Sequence, residues 1–455
     1  MHASIATRAS RSGDAGVGPW LVLAMLSVLY TFSLIDRNIL VLLIGPIKTQ
    51  FQISDVQIGL LVGTAFAIVY AFLGIPAGRL ADRGNRKMLV AAGAIIWCLC
   101  TIASGFAGSY VLLVLLRLGL AAGEAVLTPA AHSMIGDLFP RDKRSLAASL
   151  YTSAGLLGPP LAFSGGALVI SGIEAAKASG VQTDMQTWQL VLFAVGLPSL
   201  ALAILFLLTA REPKRTSEPG HADTLVKGDV LRQILSRKKL YFGLFFACAF
   251  GGGCCYALNY WTIESLMRDF GWSAVKAGSA LGPVNLVASV IGVMGAPWMT
   301  ARLKARGRMD AVILVCLACM GIALFSLAIG PLLSAPPLRM ALIGLGLAAA
   351  LGGTTNVVVS MQEVAPARMR ATFVALLYMG ITLLGAGAVP VAVPMVGDMI
   401  GSTGLSGGLA IVCASLSGLS MLLLWWIRAD FEREALAGFP VVGAACPGGT
   451  PSTVV

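Results

Sequence analysis

Twelve stretches of this sequence are apolar enough and long enough to cross a lipid bilayer, and they constrain everything else about the fold. They fall at 20–47, 57–80, 88–108, 110–138, 146–171, 188–210, 240–267, 274–300, 310–330, 338–364, 371–397 and 405–428. Each matches or exceeds the roughly 17–25 residues that span a hydrocarbon core. Backbone inside a bilayer must satisfy its own N–H and C=O groups, so runs of this kind form helices. Composition agrees: 57% of residues are apolar and only 12% charged, half the charge of a soluble domain. That excludes a cytosolic enzyme, a nucleic-acid-binding protein and a disordered chain. The expected fold is an all-α membrane protein.

The net charge of +11 would point to nucleic acid in a soluble protein, but here the basic residues sit in short loops between apolar runs. With the N-terminus inside, 25 of the 32 Lys and Arg residues fall on one side. The opposite side has only Lys48, Lys177, Arg268, Lys276 and Arg339, and Arg37 and Arg117 lie within spans. The positive-inside rule then puts both termini in the cytoplasm. The expected organisation is an N-tail 1–19, a six-helix bundle 20–210, a cytoplasmic linker 211–239, a second six-helix bundle 240–428 and a C-tail 429–455. Residues 1–18 lack the apolar core and cleavage site of a signal peptide. Cys316 and Cys319 form a C-x-x-C, but no second pair completes a metal site. No metal is expected, and the cysteines read as small apolar residues.

The two halves repeat each other. Phe51-x-x-Ser54-x-Val56-x-x-Gly59 returns as Phe270-x-x-Ser273-x-Val275-x-x-Gly278, and Pro140-x-x-x-Arg144 returns as Pro366-x-x-x-Arg370. Tyr151 followed by Leu156-Leu157-Gly158 returns as Tyr378 followed by Leu383-Leu384-Gly385. Two pseudo-symmetric six-helix bundles around a central pathway are an architecture of secondary transporters. No G-x-x-x-x-G-K-[ST] is present to power an ATPase.

Gly78-Arg79-Leu80-Ala81-Asp82-Arg83-Gly84-Asn85-Arg86-Lys87 resembles the loop 2–3 signature of the major facilitator superfamily (MFS), with Asn85 where most members have Gly. Asp36-Arg37-Asn38, Arg117 followed by Gly123-Glu124-Ala125, and the run from Pro129 to Pro140 resemble its Spinster-like branch. Read physically, Gly78 permits close approach of a helix, Asp82 suits the N-terminus of span 11 near Thr372, and Arg83, Arg86 and Lys87 are cytoplasmic anchors. The resemblance implies that Gly78, Asp82, Arg83, Arg86 and Lys87 latch the two bundles in an outward-open state. The second half has Ala301 at the Asp82 position, so the latch is one-sided.

Charges inside the spans are the sharpest clue to function. Asp36, Arg37 and Glu124 lie near mid-membrane, and Arg117 shares a helix face with Glu124. A lone charge there costs several kcal/mol, so each faces a cavity or a partner. Burial favours a neutral acid and a nearby Arg the ionised one, so motion that alters the pairing alters proton affinity. Asp36 and Glu124 are the proton-coupling candidates, in competition with a static charge cluster that holds helices 1 and 4. The resemblance implies that these acids carry protons and that the Arg contacts substrate. His132 is a candidate relay. Tyr256, Asn259 and Tyr260, with Arg37 and Arg117, are the substrate-binding candidates; Glu264 is either part of that wall or solvated at the external end. Tyr30, Thr64, Tyr70, Asn285, Thr355, Asn356 and Tyr378 are secondary. Gly155, Gly158-Pro159-Pro160 and Gly165-Gly166 loosely resemble an antiporter signature.

The expected function is proton-coupled antiport, exporting a small amphipathic or lipid-like solute across a bacterial-type inner membrane. The alternative is a symporter or uniporter of an organic anion held by Arg37. An intramembrane enzyme using Glu124 and His132 lacks a nucleophile beside a base. Expected partners are the solute, protons and the bilayer, with no nucleic acid, no cofactor beyond the proton gradient, and a monomeric chain.

Overall fold

A computed structural model describes residues 17–215, 227–308, 310–366, 369–401 and 404–437. Most of the expected N-tail, the middle of the linker and most of the C-tail lie outside these residues. Among these residues, twelve helices are long and apolar enough to cross a membrane. They are α1 (Pro19–Phe51), α2 (Asp55–Gly74), α3 (Arg86–Ser104), α4 (Tyr110–Leu138), α5 (Arg141–Ala178) and α6 (Thr187–Thr209) in the N half. In the C half they are α7 (Lys238–Phe270), α8 (Ala274–Ala305), α9 (Ala311–Leu332), α10 (Pro336–Val364), α11 (Thr372–Ile400) and α12 (Gly404–Glu434). No strand occurs among the described residues. Several helices outrun their apolar cores: the 33 residues of α7 extend about 50 Å at 1.5 Å per residue, against about 30 Å of hydrocarbon. The loops 79–87, 141–144 and 302–308 crowd their Lys and Arg residues at one end, here the basic end; the opposite one is the far end.

The repeated sequence motif does the same structural work twice. Ser54 and Ser273 cap the N-termini of α2 and α8, each accepting a hydrogen bond from the backbone N–H three residues on. Just before them, Gln52 and Gly271 turn the chain in the left-handed region, at φ 51° and 63°. Gly59 and Gly278 then sit at the two seams between halves. A Cβ on Gly59 would lie 2.3 Å from the Pro390 carbonyl oxygen of α11, and one on Gly278 2.8 Å from the Phe163 carbonyl oxygen of α5. Only glycine lets backbones approach this closely in a bilayer.

Proline and glycine explain the irregular turns. Pro129 cannot donate to the Ala125 carbonyl, and α4 is interrupted between Glu124 and Leu127. Wider π-type turns interrupt α2 at Leu60–Thr64 and α11 at Ile381–Ala388, where these two helices meet and Thr64 Oγ1 donates to the Gly387 carbonyl.

The apolar core shows which ends are joined. At the far end one continuous core mixes residues of both halves, including Leu42, Ile58, Phe163, Trp261, Leu281 and Val393. Toward the basic end it divides into one core drawn only from residues 22–210 and another drawn only from residues 240–431. The molecule is closed at the far end and parted at the basic end.

Candidate functional site

Arg37 and Glu124 form the central ion pair. Asp36 and Arg37 are consecutive, so their side chains leave α1 in directions about 100° apart. Arg37 crosses to α4, where Nη2 donates to Glu124 Oε2 at 2.6 Å. Its guanidinium lies over the Phe66 ring at 3.9 Å and the Tyr70 ring at 5.2 Å, both on α2, an arrangement suited to a planar cation. The two partners differ in access: the Arg37 side chain is 12% exposed and that of Glu124 1%.

Asp36 turns the other way, into the N half. Its carboxylate is buried, and its neighbours on α3 are the Trp97 indole N–H and the Thr101 hydroxyl, short of hydrogen-bond geometry. Arg117 lies nearby, with Nη1 donating to the Asp36 backbone carbonyl at 3.2 Å. Gly93 and Gly123 allow this crowding, since α3 and α4 touch backbone to backbone there: a Cβ on Gly123 would lie 2.6 Å from the Gly93 carbonyl oxygen. Arg117 is 5% exposed, behind the Arg37–Glu124 pair, so this structure gives it a supporting position rather than one on the cavity surface.

Tyrosines complete the cavity. Tyr256 of α7, partly exposed, neighbours Arg37 from the C half, whereas Tyr260 is 1% exposed and sits in the far-end core rather than on the cavity surface. Tyr30 has Tyr70, Tyr256 and Tyr378 as its neighbours. Tyr30 stacks on Tyr151 at 4.9 Å, and His132 meets Tyr151 edge-on at 5.2 Å. His132 therefore ends an aromatic column; no hydrogen bond among the described residues joins it to Glu124. Asn259 is partly exposed and accepts at 2.7 Å from the Asn285 amide of α8. Asn356 is fully buried inside the C half and does not line the cavity, and Thr64 serves the α2–α11 seam instead.

One further expectation needs correction. Glu264 is neither solvated nor part of the cavity wall. It is 5% exposed and pairs with Arg268 Nε at 2.8 Å. Arg268 also reaches across the halves to bind both oxygens of Asp55 at 2.7 Å, while Lys48 Nζ holds Asp55 at 2.6 Å. This four-charge gate at the far end was missed in sequence, although Lys48 and Arg268 are two of the five basic residues on their side. Their persistence there was the available signal.

Among the described residues, those of loop 2–3 form no bridge between the halves in this conformation. A Cβ on Gly78 would meet nothing within 4 Å; Asp82 and Arg83 are exposed. No hydrogen bond among the described residues joins Asp82 to α11. Arg86 is buried within the N half, held by Asp137, by Glu212 at 2.7 Å and by the Pro213 carbonyl at 2.8 Å. The Lys87 backbone N–H donates to Glu212. Arg86 therefore anchors the N half rather than reaching toward the C half. The eight described cysteines are free, and no metal-binding cluster occurs among the described residues.

Comparison with known proteins agrees with this architecture. An MFS-type efflux pump of Mycolicibacterium smegmatis is 32% identical over 276 residues, 61% of this chain and 60% of that protein. A sphingosine-1-phosphate transporter of Danio rerio is 31% identical over 206 residues, 44% of this chain and 38% of the relative. The chain thus matches well under two thirds of the length of these relatives. A solved bacterial homologue of the human lysosomal transporter Spinster, described as inward-facing and occupied, superposes with a TM-score of 0.73. It is 26% identical and covers 93% of this chain and 98% of its own. The Major Facilitator Superfamily profile matches residues 26–390, and the chain belongs to that superfamily.

Proposed function

We propose that the protein is a proton-coupled antiporter that exports a small amphipathic solute across a bacterial inner membrane by alternating access. It works as a monomer with both termini in the cytoplasm. The basic end is then cytoplasmic, and the conformation described above faces inward. The observation that carries the proposal is the Arg37–Glu124 pair, buried at mid-membrane and facing Tyr256 of the opposite half. One titratable acid with one breakable partner is the least machinery that ties proton binding to movement of the halves. Aromatic faces beside a single ion pair suit a molecule with an apolar body and a compact polar head. The names of the two relatives, an efflux pump and a sphingosine-1-phosphate transporter, favour export and a lipid-like cargo. When the basic ends meet, Gly78, Asp82 and Arg83 would form the latch with α11. The far-end gate would then divide without stranding a charge, because Asp55 keeps Lys48 and Arg268 keeps Glu264.

A second reading is favoured by the exposure of Arg37 over Glu124. A substrate anion that takes Arg37 leaves Glu124 without its cation and promotes its protonation, so proton and substrate bind together, as in symport. A cationic head that pairs with Glu124 competes with the proton, as in antiport. The headgroup sign therefore selects the coupling direction. Proteoliposomes under an imposed pH gradient, offered single-chain amines, zwitterions and phosphates, test this. Antiport predicts amine accumulation on the acidic side of the membrane; accumulation of phosphates on the alkaline side would support the alternative. Movement of none of them above protein-free vesicles would remove the proposal.

A further inference from the structure

The linker helix Lys227–Ser236 is apolar on two faces, and only one of them is used within the protein. Val230 and Ile234 pack on the basic-end core of the C half. Gln233 is buried and its Nε2 donates to the Tyr241 hydroxyl at 3.3 Å. On the other side, Leu231 and Leu235 are 58% and 57% exposed. Four residues apart, they form one ridge. An isolated exposed leucine carries no message, but this pair is matched by exposed aromatic residues on the helices of the same half. Trp425 and Trp426 near the end of α12, and Phe242 near the start of α7, are about half exposed or more. Tryptophans at this level form the belt that marks a membrane–water interface.

Charge completes the pattern. Arg232 and Lys238 are exposed, and neither has an ion-pair or hydrogen-bond partner among the described residues. Lys239 lies over the Trp426 ring at 4.9 Å and pairs with Asp430 at 2.6 Å, which fixes the start of α7, just past the end of the linker helix, beside these tryptophans. Arg237 pairs with Glu434 of α12. The helix is therefore held to the C half beside the tryptophans, with leucines and cations that have no partner among the described residues facing outward. That combination is what an interfacial helix presents to an anionic lipid surface.

We propose that Lys227–Ser236 docks on the anionic surface of the bilayer at the basic end, with Leu231 and Leu235 inserted at the acyl boundary and Arg232 and Lys238 on lipid phosphates. The linker is then a surface anchor of the C half. Its other side is fixed to the N half, where Arg215 donates to the Ala81 and Gly84 carbonyls at 3.1 and 2.8 Å.

Hydrogen–deuterium exchange on the full chain in nanodiscs tests this without any transport substrate. The probes are discs of phosphatidylcholine alone and of phosphatidylcholine with phosphatidylglycerol, one protein per disc. Exchange across residues 230–236 should slow in the anionic discs by about five-fold for each engaged basic residue. The double variant Arg232→Gln with Lys238→Gln should lose that difference, and Leu231→Gln with Leu235→Gln should raise exchange in both discs. Unchanged exchange in α12 shows that the variants fold. Equal rates for the wild type in the two bilayers overturn the proposal. So does protection that develops only with two copies per disc, which assigns the leucine ridge to a second protein.

Discussion

Helices α1 and α7 are each 33 residues long and start 219 positions apart, and along them the halves first agree and then diverge. At the far end, Gln52 and Gly271, Ser54 and Ser273, and Gly59 and Gly278 perform the same turns, caps and close approaches. At mid-membrane the same register pairs Asp36 with Cys255 and Arg37 with Tyr256. The N half holds two acids and two arginines there, and the C half holds neutral side chains. At the basic end the charges are inverted: Arg86 is gripped by acids of α4 and the α6 end, while Asp310 is gripped by Arg308 and Arg428. The backbone demands of a two-bundle scaffold are common to both halves, but the mid-membrane charges sit in one. A charge set confined to one rigid half moves intact, and the other half changes what faces it.

The strongest way to break this comparison is to remove the partner of the central cation. Glu124→Ala leaves Arg37 without its carboxylate, which should cost about 3–5 kcal/mol, read as a large fall in Tm in detergent. The register-matched C-half change, Cys255→Ala, should cost about 1 kcal/mol or less. Equal losses would show that both halves carry the load alike.

Next in size is the far-end gate. Charge-assisted hydrogen bonds contribute about 1.5–3 kcal/mol each, but the Arg268 side chain is a third exposed, so about 1–2 kcal/mol is expected after screening. Arg268→Gln should raise the far-end-open population by roughly five- to thirty-fold, measured as a spin-label distance distribution between the starts of α2 and α8. An unchanged distribution would reduce the gate to surface charge.

Tyr256→Phe sharpens the cavity side of the comparison. It removes one hydroxyl from the surroundings of Arg37 and should raise KM by up to about ten-fold, since a hydrogen bond is worth about 0.5–1.5 kcal/mol, with Tm unchanged. A fall in Tm without a change in KM would make Tyr256 structural. The smallest effect belongs to the loop. Asp82 has no hydrogen bond across the halves among the described residues, so Asp82→Asn should act only on the opposite conformation, by about 0.3–1 kcal/mol. Distances between the basic ends of α2 and α11 should shift less than about five-fold in population.

Hydropathy alone made the twelve spans legible, because a bilayer leaves helices no alternative. The repeat was legible because turns and caps need particular residues at fixed spacing. Pairing was not: spacing along α4 places Arg117 and Glu124 on one face, but it does not say that Glu124 meets Arg37 of α1 while Arg117 retreats to the Asp36 carbonyl. That depends on how each helix is rotated about its axis, which the Gly93–Gly123 contact helps to set. Asp55 and Arg268 were illegible for a different reason: charges at helix ends read as solvated until the second helix is placed beside them. The loop 2–3 residues read as a latch of the outward-open state, which is not the conformation described here.

The central claim is that Glu124 carries the coupled proton through its breakable pair with Arg37. Glu124→Gln keeps the shape and a hydrogen-bonding group but cannot titrate. With a pH-sensitive dye trapped in proteoliposomes, the wild type should show proton flux on addition of a transported amphiphile. Glu124→Gln should show none, and gradient-free exchange of an amine should weaken with it, because the amine head pairs with the same carboxylate. Substrate-dependent proton flux of wild-type size in Glu124→Gln would contradict the account and move the coupling site elsewhere.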